Sequence, residues 1–132
     1  MTILQKYSVF TLVVMAAIAA TAFGIVVVTG TPHQALAAFS LLAVLVLGRR
    51  WFRDGETPAM DERDQEIWRK AMLFAYTIFW IVFVGSGVAI PLILGETATI
   101  PAGFLILAPL TGAWLLYVVR ASAILVLYAR GA

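Results

Sequence analysis

Residues 49–70 read RRWFRDGETPAMDERDQEIWRK, and this stretch decides the fold. Arg49 to Lys70 hold twelve of the sixteen charged residues of the chain, six basic and six acidic. The sequence on either side is apolar enough to sit in lipid. The stretch therefore reads as a water-exposed bracket between two pairs of membrane helices.

Composition supports that reading. The chain has 132 residues, of which 63% are hydrophobic and 12% charged, against about 25% charged in a typical soluble domain. A soluble core of this size cannot use so much apolar surface, so lipid is the solvent for much of it. One transmembrane domain, 1–132, is the natural unit. A net charge of +2, mixed in sign, gives no case for nucleic acid. Cysteine is absent and His33 is the only histidine, which excludes thiolate chemistry and multi-histidine metal or haem sites. No cofactor is expected.

Upstream of the bracket, Tyr7 to Val28 is a run of 22 uncharged residues, and about 20 cross the hydrocarbon core as a helix. Ala16, Ala20 and Gly24 share one face, and small residues at that spacing let another helix approach closely. Lys6, the apolar run and Ala20-Thr21-Ala22 also outline a signal peptide. The continuation from Phe23 to Val28 gives full spanning length and favours an uncleaved helix. Thr29-Gly30-Thr31-Pro32 reads as a turn, with Thr31 capping a second helix and Pro32 at its first position. That helix runs over 32–52, and Arg49, Arg50, Trp51 and Arg53 fall at the interface.

Within the bracket, Gly55 and Pro58 break the chain. Asp61 starts a third helix as its cap, and Asp64 makes a D-x-x-D variant of the capping box. Glu66 and Lys70 form an i, i+4 pair in the favoured order. The helix continues without a break into a third span, 71–94, where Pro91 is expected to kink it. After a turn over 95–100, the fourth span covers 101–128 and contains Pro109. Arg120 lies about 29 Å along it, at the far interface, and reads as an anchor.

All nine Lys and Arg residues fall on one side of this threading and none on the other. Both termini and the charged segment 49–70 are therefore expected in the cytoplasm. The expected architecture is all-α: an integral membrane four-helix bundle of two helical hairpins in the cytoplasmic (inner) membrane. If helices three and four turn symmetrically at 95–100, Ser86 lies opposite Pro109. Its hydroxyl could then serve the Leu105 carbonyl that Pro109 leaves free; bonding within its own helix is the alternative. Ile67 and Trp68 should dock beside Tyr128 and Leu127, with Arg130 near Glu62 and Glu66.

Chemistry has little support. No span carries Asp, Glu, Lys or His at midplane depth, which counts against a proton-coupled exporter. No G-x-S-x-G, H-E-x-x-H or P-loop pattern occurs. Trp80 and Trp114 lie away from the interfaces, and packing between helices is favoured over a lipid or quinone pocket. No catalytic, cofactor or metal residue is expected. The candidate surface for a cytoplasmic or membrane protein partner is Asp61, Glu62, Arg63, Asp64, Glu66, Arg69 and Lys70.

The run Asp61-Glu62-Arg63-Asp64, then Ile67, Arg69-Lys70-Ala71 and Tyr76, resembles a motif of small uncharacterised inner-membrane proteins of bacteria and archaea. The tail Leu127-Tyr128-Ala129-Arg130-Gly131 approximates their L-Y-R-R-G ending, with Ala129 a departure. The resemblance implies a multi-pass inner-membrane protein with a D-E-R-D…I…K-A helix between its second and third spans. It supplies no activity. The reading is thus a non-enzymatic interaction or regulatory subunit, embedded in the lipid bilayer, that presents a charged cytoplasmic helix. The alternative is a small homo-oligomeric transporter or channel component.

Overall fold

The computed structural model describes residues 1–52 and 61–131. These form α1 (Ile3–Thr29), a 3-10 helix η1 (Pro32–Leu41) continued by α2 (Leu42–Trp51), α3 (Glu62–Leu94) and α4 (Ala102–Ala129). With η1 and α2 taken together, four helices are long and apolar enough to cross a membrane. The expected turn over Gly55 and Pro58 lies outside the described residues, as does Arg53.

α1 begins four residues earlier than expected, because its first turn is capped. The Thr2 hydroxyl accepts from the Gln5 N–H at 3.2 Å, and Gln5 Oε1 accepts from the Thr2 N–H at 2.8 Å. This is a T-x-x-Q capping box. The helix ends at Gly30, whose φ of 67° lets its N–H return to the Val26 carbonyl at 2.8 Å. The buried seam of α1 is Leu4, Ser8, Thr11, Met15 and Ile18, with Val14 beside it. Ser8 and Thr11 bury their hydroxyls by donating back to the Leu4 and Tyr7 carbonyls, each at 2.8 Å. The small-residue face is not the packing face. Ala16, Ala20 and Gly24 are exposed, and nothing lies within 4 Å of a Cβ built on Gly24. At 100° per residue they sit roughly opposite the seam.

The second span departs from the expected α-helix over its first half. Thr31 makes no side-chain cap; its hydroxyl donates to Thr29 Oγ1 at 3.0 Å. From Pro32 the chain winds as a ten-residue 3-10 helix, where i and i+3 eclipse. Ala35 and Ala38 are buried, and Pro32 and Leu41 half-buried, on that three-residue period. The 3-10 rise of about 2.0 Å per residue lengthens this span by about 5 Å relative to an α-helix. At its end Gly48 lies under the Phe10 ring, and Phe10, Tyr7 and Phe52 contact one another at 5.7–6.4 Å.

α1 and α4 are the inner pair. η1 and α2 lie against α1, η1 also touches α4, and α3 packs on α4. One core joins Val14, Met15, Ile18, Ala38 and Leu45, with Trp114, Tyr117 and Val118 of α4 against it. Trp114 packs between helices as expected, and its indole N–H donates to the Met15 carbonyl at 2.9 Å. Trp80 does not. It is exposed, grouped with Phe79 and Phe83 at 5.7 Å, because α3 beyond Phe79 has only α4 beside it.

The α3–α4 hairpin is offset from the symmetric register by about one helical turn. Phe79 covers Gly112, Met72 meets Arg120, and Asp64 meets Tyr128. The seven-residue connection between Leu94 and Ala102 imposes no register, so side-chain fit sets it. A Cβ on Gly112 would come within 2.9 Å of Phe79. The pairing of Ser86 with the freed Leu105 carbonyl accordingly does not form. Ser86 is exposed and donates to the Phe83 carbonyl of its own helix at 2.9 Å. Pro91 and Pro109 both lie inside continuous helices.

Candidate functional site

The start of α3 is a charged helix seated on the bundle. Asp61 is its cap, accepting from the Glu62 N–H at 2.8 Å. Glu62 and Asp64 place negative charge in the first turn, where the helix dipole is positive. The helix then runs through Lys70 into the apolar span without a break, as expected.

Its inner face is set by Ile67 and Ala71, which are buried in a cluster with Leu4 of α1 and Ile124 of α4. Trp68, Leu127 and Tyr128 pack around that cluster. The expected apolar dock is therefore present, with Leu4 as a member that the α4 pairing did not anticipate. The Thr2–Gln5 box orders the turn that carries Leu4.

The seven candidate residues divide among three roles. Asp64 does not close a capping box with Asp61; the Tyr128 hydroxyl donates to its Oδ1. The Arg63 guanidinium lies 5.8 Å over the Tyr128 ring. These two side chains thus fasten the helix to α4. Asp61 serves the cap. Glu62, Glu66, Arg69 and Lys70 remain on the exposed edge, together with Gln65. Glu66 and Lys70 pair at 2.8 Å, and Lys70 holds the Glu66 carboxyl below its ordinary range. Arg130, expected near Glu62 and Glu66, is instead the exposed cap of α4, and Glu66 takes Lys70.

The Tyr128–Asp64 bond could not be found from sequence, because it depends on the hairpin offset. The T-x-x-Q cap was legible at the first residues. Arg120 is half-buried against Trp68 and Tyr117 at the same end of the bundle. Among the described residues no three His, Cys, Asp or Glu side chains gather to hold a metal ion.

No curated protein and no solved structure matches the chain. A family model does match, over residues 4–129, and its description is that of a predicted membrane protein. That match covers all the helices except Ile3 of α1, and the charged segment between them, so the chain belongs to the DUF2178 family of predicted membrane proteins.

Proposed function

We propose that this protein is a non-enzymatic subunit of a prokaryotic cytoplasmic membrane that presents the start of α3 to a protein partner. One observation carries the reading: the helix is fastened by one face and charged on the other. Ile67, Ala71, Asp64 and Arg63 hold it to α1 and α4. Glu62, Glu66, Arg69 and Lys70 take no part in that attachment. Their ion pair, Glu66–Lys70, is exposed, and an exposed pair adds little to stability. The fold does not require this edge, while it does require the face behind it. Clustered charge of both signs on a rigid helix suits a partner of complementary pattern.

The test compares two sets of variants of the full chain. Glu62→Gln, Glu66→Gln, Arg69→Gln and Lys70→Gln together should leave membrane level and thermal unfolding in detergent near those of the parent, while stripping co-purifying protein. Tyr128→Phe should loosen the dock and lower the unfolding temperature. An unchanged set of partners in the fourfold variant would remove the edge as a working surface.

The alternative, an oligomeric transporter or channel component, is favoured by the exposed stripe Ala16, Ala20 and Gly24. Cross-linking through single cysteines at these positions separates the two. Efficient pairing of copies in the membrane, with no partner protein recovered, supports the alternative.

A further inference from the structure

Arg120 is the one charged residue within the apolar run of α4. It stands about 27 Å from the helix start at Ala102, at the level where a hydrocarbon core about 30 Å thick gives way to headgroups. Its guanidinium carbon is 4.7 Å from the Trp68 ring centre and 4.7 Å from that of Tyr117. Nη1 reaches the sulfur of Met72 at 3.9 Å, a weak acceptor. A guanidinium offers five N–H donors, and no carboxylate among the described residues pairs with this one.

Among the described residues no carboxylate bears on Arg120. Asp64 accepts from Tyr128, and Glu66 is paired with Lys70. Among the described residues, the ionisable groups that bear on Arg120 are Tyr117, Tyr7, Tyr76 and a second cation, Arg49 at the end of α2. None of these is a carboxylate. No side-chain nitrogen of the site is buried without a partner, so the remaining guanidinium donors have an open edge. Two rings flank the cation and an edge of donors is left over. That edge matches two oxygens of one phosphate in a bidentate grip.

We propose that Arg120, framed by Trp68 and Tyr117 and reinforced by Arg49, binds the phosphodiester of an anionic phospholipid at the end of the bundle that carries the charged helix. The depth of Arg120 selects a lipid over a free phosphate. Two cations, with no carboxylate among the described residues paired to Arg120, select a net-negative headgroup over a zwitterionic one, whose own cation would meet Arg49. Trp68 and Tyr117 supply the amphipathic walls that such rings provide at headgroup level. The site is independent of whether the charged helix has a protein partner.

The experiment is native mass spectrometry of the full chain in mild detergent, titrated with phosphatidylglycerol or phosphatidylcholine, with and without inorganic phosphate. The parent should retain phosphatidylglycerol over phosphatidylcholine by about five-fold or more, a modest share of what a charge-assisted bidentate grip allows. Arg120→Gln should abolish that preference. Arg120→Lys should weaken it, since the charge stays and the fork is lost. Arg49→Gln should reduce it, and Arg130→Gln, outside the site, should leave it intact. Equal retention of the two lipids by the parent overturns the proposal. So does an unaltered preference in Arg120→Gln or, should that variant fail to fold, in both Arg120→Lys and Arg49→Gln. Release of the lipid by millimolar inorganic phosphate would assign the site to a free anion and overturn the lipid source.

Discussion

At the scale of single residues, two glycines show what packing adds to sequence. Gly24 belongs to the small-residue stripe that draws the eye, yet a Cβ there meets nothing within 4 Å. Gly48 draws none, yet a Cβ there would collide with the Phe10 ring. The expected outcome is asymmetric. Gly24→Ala should be neutral or mildly stabilising in thermal unfolding, because alanine is the better helix former by about 1 kcal/mol. Gly48→Val should lower stability by about 1–3 kcal/mol, the usual cost of overpacking, and Phe10→Leu should recover part of it by opening space. Equal behaviour of the two glycine variants would mean that the Phe10 contact is absent. Residue type did reveal the cap at Asp61 and the Glu66–Lys70 pair, since both are local and need only i to i+4 spacing. It could not reveal that Asp64 serves Tyr128, because that bond spans 64 residues.

At the scale of elements, the sequence shows where helices lie better than how they wind or meet. The helices expected from the Asp61 cap to 94 and over 101–128 agree with α3 and α4 to within a residue, since a cap, glycine and proline punctuate them. The first helix starts ahead of the uncharged run from Tyr7 because Thr2 and Gln5 cap it, a local signal that hydropathy alone does not carry. The 3-10 winding of η1 was not legible. Its cause is tertiary: alanines at i, i+3 give a narrow face that fits against α1 and α4. Ala38, at 1% exposure, has no room to grow. Ala38→Leu should therefore destabilise the protein by about 1–3 kcal/mol, whereas Ala37→Leu, on the exposed side, should be tolerated in the same denaturation assay. Tolerance of Ala38→Leu would argue that η1 is loosely held.

At the scale of the whole molecule, the dock constrains topology on its own. Leu4, Ile67 and Ile124 lie in one cluster, so the beginning of α1, the charged start of α3 and the end of α4 share one end of the bundle. The turns at Gly30 and Gly95 then share the other. Geometry leaves only two insertions, with the charged end inside or outside. The charge count predicts the charged end inside, because all eight described Lys and Arg residues belong to the dock's end or its flanks and basic residues stay on the cytoplasmic side. A reporter placed at Thr97 should read periplasmic, and one fused after Ala132 cytoplasmic. Reversing both readouts would keep the fold and invert the insertion. Reporters at 97 and 132 on the same side would contradict the dock itself, since no packing of Leu4 on Ile67 and Ile124 survives that threading. Replacing Arg49, Arg50, Arg69 and Lys70 with Gln supplies the sharper version. If charge alone chooses between two otherwise permitted insertions, this variant should yield a mixed population at Thr97, while Leu4 against Ile67 and Ile124 keeps the two hairpins together in either orientation.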